Sequence, residues 1–164
     1  MVYKHLYISQ LGSITLASDG KSLTGLWFDE QKHFPHKLIS ESIEAELPIF
    51  IQTINWLDTY FGGKTPDFTP PISLTATPFR KAVYEILLTI PYGQTMTYGE
   101  IANIIAEQKG IERMSAQAVG GAVGHNPISI IIPCHRVVGT DGSLTGYAGG
   151  LDKKIELLKL ENAL

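Results

Sequence analysis

Hydrophobic and polar positions change rhythm along this chain. Up to Asp29 they alternate. "YKHLYIS", "GSITLAS" and "LTGLWFD" are β-branched or aromatic runs parted by Gly, Ser and Asp, and they predict three strands. The period then lengthens. "PIFIQTINWLDTYFGG" sets Ile51, Ile54, Trp56, Leu57 and Tyr60 at roughly helical spacing and stops at Gly62 and Gly63. From Thr65 to Thr77, "TPDFTPPISLTAT" is rich in proline, which removes backbone donors and predicts an extended linker. The domain boundary is placed there. Residues 1–70 form an N-terminal α/β domain with its linker, and residues 71–164 a C-terminal domain.

Beyond the linker the pattern is helical. "TPFRKAVYEILLTIP" has Thr77 at an N-cap and Pro78 at the first helical position, then a stripe of Phe79, Ala82, Val83, Ile86, Leu87 and Ile90. "TYGE" at Thr97–Glu100 is a capping box opening a helix to about Gln108. Ser115 caps a second short helix, "AQAVGGAVG", and the Gly-containing turn between them predicts a helix-turn-helix over about 98–126. The second helix is built of small residues, with few side chains able to read base edges. Such a surface suits close packing against another helix first, and close approach to DNA second. In the last helix, "LDKKIELLKLE", Leu151, Ile155 and Leu158 predict an inward stripe whose next step is Glu161 or Asn162.

Composition narrows the class. The 164 residues are 44% hydrophobic and 18% charged, values of a globular protein. No apolar run approaches the roughly 20 residues of a membrane span, and the N-terminus lacks a signal-peptide pattern, so a cytoplasmic protein is expected. The net charge of −3 argues against a general nucleic-acid-binding surface. The acidic excess lies before Pro78, however; between positions 109 and 136, Lys109, Arg113 and Arg136 face only Glu112. That local bias permits phosphate contact.

Cys134 is the only cysteine, which excludes an internal disulfide and a multi-thiolate zinc site. It follows Pro133 and precedes His135 and Arg136 at the end of an isoleucine run. Two readings fit: an inert thiol closing a buried strand, or a nucleophile whose pKa a neighbouring imidazole lowers. Adjacent residues on an extended chain point apart, so His135 reaches the sulfur only through a turn or a water. Glu161 is either a solvated helix end or the carboxylate that orients the imidazole. For Arg136 an ion pair is expected, with no partner identifiable from sequence.

These residues carry a resemblance. "IPCHRVV" at Ile132–Val138, with "AVGGAVGHNP" before it, "GSLTGYAGGL" after it and "IPYGQTMTYGEIA" at 90–102, closely resembles the O6-alkylguanine-DNA alkyltransferases from about Thr77 to Glu161. The resemblance implies an α+β fold. A small β-rich, ribonuclease-H-like domain is followed by a mostly helical domain with a winged-helix-like helix-turn-helix. It implies DNA repair by direct reversal, as the guanine is flipped from duplex DNA and its O6-alkyl group moves irreversibly to Cys134. O4-alkylthymine is a second expected substrate. His135, polarised by Glu161, would take the thiol proton through a water. Tyr98 would donate to the leaving guanine, and Asn126 would brace the loop before the cysteine. Val137, Tyr147 and Ala148 would shape the base pocket. Ser115, Gln117, Ala118 and Gly121 would lie against DNA. The protein would be consumed in one event, as a monomer. It would need no cofactor, because the lesion is the alkyl donor.

Two departures stand out. The family usually inserts an arginine into the gap left by the flipped base, and the corresponding residue here is Gln117. The preceding turn is longer and supplies Lys109 and Arg113, of which Arg113 is expected to contact phosphate. Some members hold zinc partly through cysteines in the N-terminal domain; with no cysteine before Cys134, no metal site is expected. Two other classes make different demands. A lesion-binding protein without repair, like the alkyltransferase-like proteins, would lack the cysteine. A cysteine hydrolase would need an oxyanion hole and turnover.

Overall fold

A computed structural model describes residues 1–164 and divides them into two compact units. The first comprises Met1–Leu74 together with Pro127–Ser129, and the second Thr75–Asn126 with Ile130–Leu164. None of the helices is long and apolar enough to cross a membrane.

In the first unit the alternating runs become β1 (Tyr3–Ser9), β2 (Gly12–Ser18) and β3 (Leu23–Phe28). The β1–β2 hairpin runs in unbroken register from Tyr3 opposite Ser18 to Ser9 opposite Gly12, whereas the β2–β3 pair shifts register between Ala17 and Ser18. A five-residue helix, α1 (His36–Ser40), precedes the two-residue strand β4 (Ile43–Glu44), which pairs parallel with β1. The sheet order is β3-β2-β1-β4.

Helix α2 (Pro48–Phe61) has Pro at its first position, where a missing N–H is harmless. Its buried face is Ile49, Phe50, Thr53, Trp56, Leu57 and Tyr60. This corrects the sequence expectation at one end, because Ile51 is 57% exposed. The run 49, 50, 53, 56, 57, 60 is the i, i+3, i+4, i+7 stripe of a helix, and Ile51 lies off it.

The free side of β3 is lengthened by two small parallel additions. Leu23 N donates to Pro71 O and Ser73 N to Leu23 O. Leu26 N donates to Pro127 O and Ser129 N to Leu26 O, both at 2.9 Å. The proline-rich linker is thus pinned by ladder hydrogen bonds, in which Pro71 uses its carbonyl and Ser73 its N–H.

In the second unit α3 (Pro78–Leu87), α4 (Tyr98–Lys109) and α5 (Ala116–Gly124) pack through Val83, Ile86, Leu87, Ile101, Ile105, Val119 and Ala122. The caps read from sequence are present. The Thr97 hydroxyl accepts from Glu100 N, the Glu100 carboxylate accepts from Thr97 N, and Ser115 accepts from Ala118 N. Gly110 ends α4 in the left-handed region, at φ +65°. Tyr84, outside the predicted stripe, is buried and donates its hydroxyl proton to Ala122 O at 3.1 Å.

Two-residue strands β5 (Met96–Thr97) and β6 (Val137–Val138) pair parallel and tie the start of α4 to the segment after the cysteine. Helix α6 (Leu151–Leu160) closes the chain, turned differently from the expectation. Leu151 is 45% exposed, whereas Lys154, Leu157, Leu158 and Glu161 are buried. The inward face therefore starts on a lysine. Spacing alone disfavoured that choice, because an apolar residue was available one turn position away.

Candidate active site

The chain reaches the cysteine through a strained approach. Ile130 sits at φ +71°, a region that β-branched residues rarely occupy. Pro133, at φ −82° and ψ 64°, is the centre of an inverse γ-turn in which Cys134 N donates to Ile132 O at 2.8 Å. Asn126 Nδ2 donates to the same carbonyl at 2.8 Å, so this side chain braces the turn. A single turn of 3₁₀ helix, Cys134–Arg136, follows.

All three side chains of that turn are buried. His135 Nε2 lies 2.6 Å from Glu161 Oε2, at the C-cap of α6. Glu161 also accepts from Arg136 Nε at 2.8 Å, Arg136 Nη2 at 3.1 Å and Gly93 N at 3.0 Å. Gly93 has φ +81°, and a side chain there would come within 3.1 Å of the Glu161 carbonyl oxygen. The expected inward step on α6 therefore lands on Glu161, at a distance suited to orienting an imidazole.

The protonation states follow from these contacts. Burial disfavours the Glu161 carboxylate, but His135, Arg136 and Gly93 outweigh it and hold its pKa at about 2. Burial pushes His135 below its usual value against the pull of Glu161, and the Arg136 and Lys154 charges add to the lowering. The ring is neutral near pH 7. With Nε2–H donated to a carboxylate, Nδ1 carries the basic lone pair. Burial also raises the Cys134 thiol, opposed by hydrogen bonds from Asn126 and Tyr147 and by the Lys154 charge. The resting sulfur is a protonated thiol that needs a base.

Comparison with known proteins gives the family. A model described as "6-O-methylguanine DNA methyltransferase, DNA binding domain" matches residues 78–163, and one for the ribonuclease-like domain of the same protein matches residues 2–74. The chain belongs to the 6-O-methylguanine DNA methyltransferase family. The methylated-DNA–protein-cysteine methyltransferase of Mycobacterium tuberculosis is 41% identical over 163 residues, which are 99% of this chain and 94% of that protein. The protein of the same name from Methanosarcina mazei is 44% identical over 98% of this chain and 97% of its own length. The crystal structure of M. tuberculosis OGT in complex with DNA superposes with a TM-score of 0.83 at 42% identity, over 98% of this chain and 93% of that one. The α+β architecture is that of this family.

Around the methyltransferase family's cysteine turn, the remaining predicted residues fall into two groups. Tyr98 starts α4, and its hydroxyl donates to Thr145 O at 3.4 Å. Burial above all raises its pKa, so it remains a proton donor. Tyr147 stands edge-on to the His135 ring, with centroids 6.5 Å apart. Ala148 is half-buried in the turn closed by Gly150 N donating to Tyr147 O, and Gly150 adopts φ +102°. Val137 O accepts from Lys154 Nζ at 2.6 Å and keeps a second lone pair.

Arg113, Ser115, Gln117, Ala118 and Gly121 form the other group, all exposed on α5 and the loop before it. Gly120 is packed, since a Cβ there would meet the Tyr98 ring at 3.8 Å, but around Gly121 and Gly124 a Cβ would meet nothing within 4 Å. Close helix packing therefore explains Val119, Gly120 and Ala122 and leaves Gly121 and Gly124 unexplained.

Lys154 and Gly93 were missed by sequence reasoning. Lys154 is fully buried, donates to the carbonyls of Val137, Thr145 and Gly146, and has its pKa lowered by burial to about 8. It ties β6 to the loop that carries Tyr147. The available signal for Gly93 was the Pro-Tyr-Gly turn. Lys154 gave none, being one of two adjacent lysines on a polar helix.

Proposed function

We propose that this chain repairs DNA by moving the alkyl group of O6-alkylguanine, and secondarily of O4-alkylthymine, from double-stranded DNA to Cys134. The observation that carries the reading is the His135–Glu161 contact of 2.6 Å on the turn holding the only cysteine. His135 Nδ1 takes the thiol proton through a water, and the thiolate attacks the alkyl carbon as the C–O6 bond breaks. The electron pair stays on the guanine, which Tyr98 protonates as the base leaves. General-base assistance of this kind contributes about 10²–10⁴-fold. The lesion must leave the base stack to reach a sulfur this buried. The product is a thioether with no easy hydrolytic exit, so each molecule acts once. No further group is called on, since the lesion supplies the alkyl carbon.

On the DNA side, Gln117 fills the gap left by the flipped base, and Arg113 contacts phosphate. Ser115, Ala118 and Gly121 let the helix backbone approach closely. The protein works as a monomer in the cytoplasm. Incubation with duplex DNA bearing O6-methylguanine, followed by intact-protein mass and peptide mapping, tests the reading. One added methyl on Cys134, with no turnover past one equivalent, is expected. Unmodified protein, or a methyl on another residue, overturns it.

A further inference from the structure

The reaction above leaves Arg136 without a part, although it is one of the most highly bonded side chains in the molecule. Its Nη1 donates to Ile90 O at 2.8 Å, and its guanidinium carbon lies 5.8 Å from the centroid of the Tyr92 ring. Its other edge bridges both oxygens of Glu161, through Nε to Oε1 and Nη2 to Oε2. With Gly93 N on Oε1 and His135 Nε2 on Oε2, each carboxylate oxygen receives two hydrogen bonds.

A buried carboxylate beside an imidazole can be neutralised in two ways. The ring can take a second proton and become the counter-ion, or another cation can serve. The first way places a proton on Nδ1 and removes the lone pair that must receive the thiol proton. The second keeps the ring neutral. A guanidinium is suited to it, being charged at every accessible pH and shaped to match a carboxylate with two parallel bonds.

We propose that Arg136 is a positioning residue for alkyl transfer: by neutralising Glu161, it lets that carboxylate orient His135 without keeping a second proton on the ring. This rests on the assignment of Cys134 and His135 made above. The groups facing the ring are Cys134 and Arg136 on its own turn, Lys154 and Glu161 from α6 and its cap, Tyr147 from the preceding loop, and Tyr92 beside Glu161. Glu161 is the only carboxylate among them.

The test is the titration of the His135 ring, followed by ¹⁵N NMR in R136M and R136K without DNA, together with the pH dependence of methyl transfer. In R136M the ring is expected to protonate about one pH unit or more higher than in wild type, as an opposite charge loses its neutralising partner. The acid limb of the transfer rate moves up with it. R136K keeps a charge but cannot bridge both oxygens, and a smaller upward shift is expected. A folded R136M whose ring titrates as in wild type overturns the proposal. If R136M does not fold, an unshifted R136K does the same. Because the ring is read without DNA, the result stands even if wild-type protein transfers no methyl. That failure would count against the proposed reaction alone.

Discussion

The second unit has two surfaces of opposite character. At the cysteine turn, charge is buried and heavily bonded: Glu161 holds three partners, Arg136 bridges it, and Lys154 caps three carbonyls. Along the outer face of α5 there is no charge at all, only Gln117, Ala118, Gly121 and Gly124, with Arg113 in the loop before. The contrast fits the division of labour in lesion repair. Proton transfer needs groups fixed to within a few tenths of an ångström, and burial with full hydrogen bonding fixes them. A surface that must accept lesions in any sequence gains from offering the backbone and little else.

The sharpest break of this contrast is C134A. It is expected to abolish methyl transfer while leaving binding to lesion-bearing duplex intact by fluorescence anisotropy, since α5 does not depend on the sulfur. Loss of binding would show that the two surfaces are one.

E161Q comes next. Its amide cannot hold the His135 tautomer as a carboxylate does, and single-turnover transfer should slow by about 10²–10⁴-fold, the usual worth of general-base assistance. It should also alter acid stability. His135 is lowered in the folded state, so stability falls as pH drops below its ordinary 6.5, where only the unfolded ring binds the proton. Glu161 adds a lower window: its stabilisation is present above 4.5 and is lost as pH falls towards about 2. In E161Q the lower window should vanish from urea-denaturation curves measured against pH.

K154M probes whether the buried side is tied together as tightly as its bonds suggest. Three carbonyls lose their donor, and a destabilisation of about 1–3 kcal/mol is expected from the unsatisfied acceptors. Faster amide exchange should appear around Tyr147. An unchanged loop would show that Val137 and Gly146 are held by other means.

G121L reverses the logic, because its side chain projects where nothing is within 4 Å. Thermal stability should hold or rise slightly, as glycine inside a helix is unfavourable by about 0.5–1 kcal/mol relative to alanine. DNA affinity should fall about tenfold, the equivalent of ~1.4 kcal/mol. Unchanged affinity would remove α5 from the interface. The smallest effects belong to the polar residues nearby. R113A should lower the salt dependence of binding by about one phosphate contact, and Q117A should slow repair while changing that slope little.

How much was legible beforehand depended on range. Strands β1 to β3 and the caps at Thr77, Thr97 and Ser115 all follow from neighbours within a few positions, whereas the turn after Pro133 was one of two arrangements the local sequence allowed. The outward turn of Ile51 and Leu151 did not, because either phase of an amphipathic helix satisfies its own backbone. Only the partner surface selects between them.

Sequence by itself determined the kinds of group available and their local geometry: a thiol behind a proline, an imidazole and a guanidinium on the next two positions, and a carboxylate one helix later. Tertiary structure decided that the carboxylate meets both the imidazole and the guanidinium, that Gly93 closes the cluster, and that Lys154 lies inside. Those choices join segments separated by up to 68 positions. Hydrogen bonds across such distances are set by how buried surfaces pack, and no local periodicity encodes that.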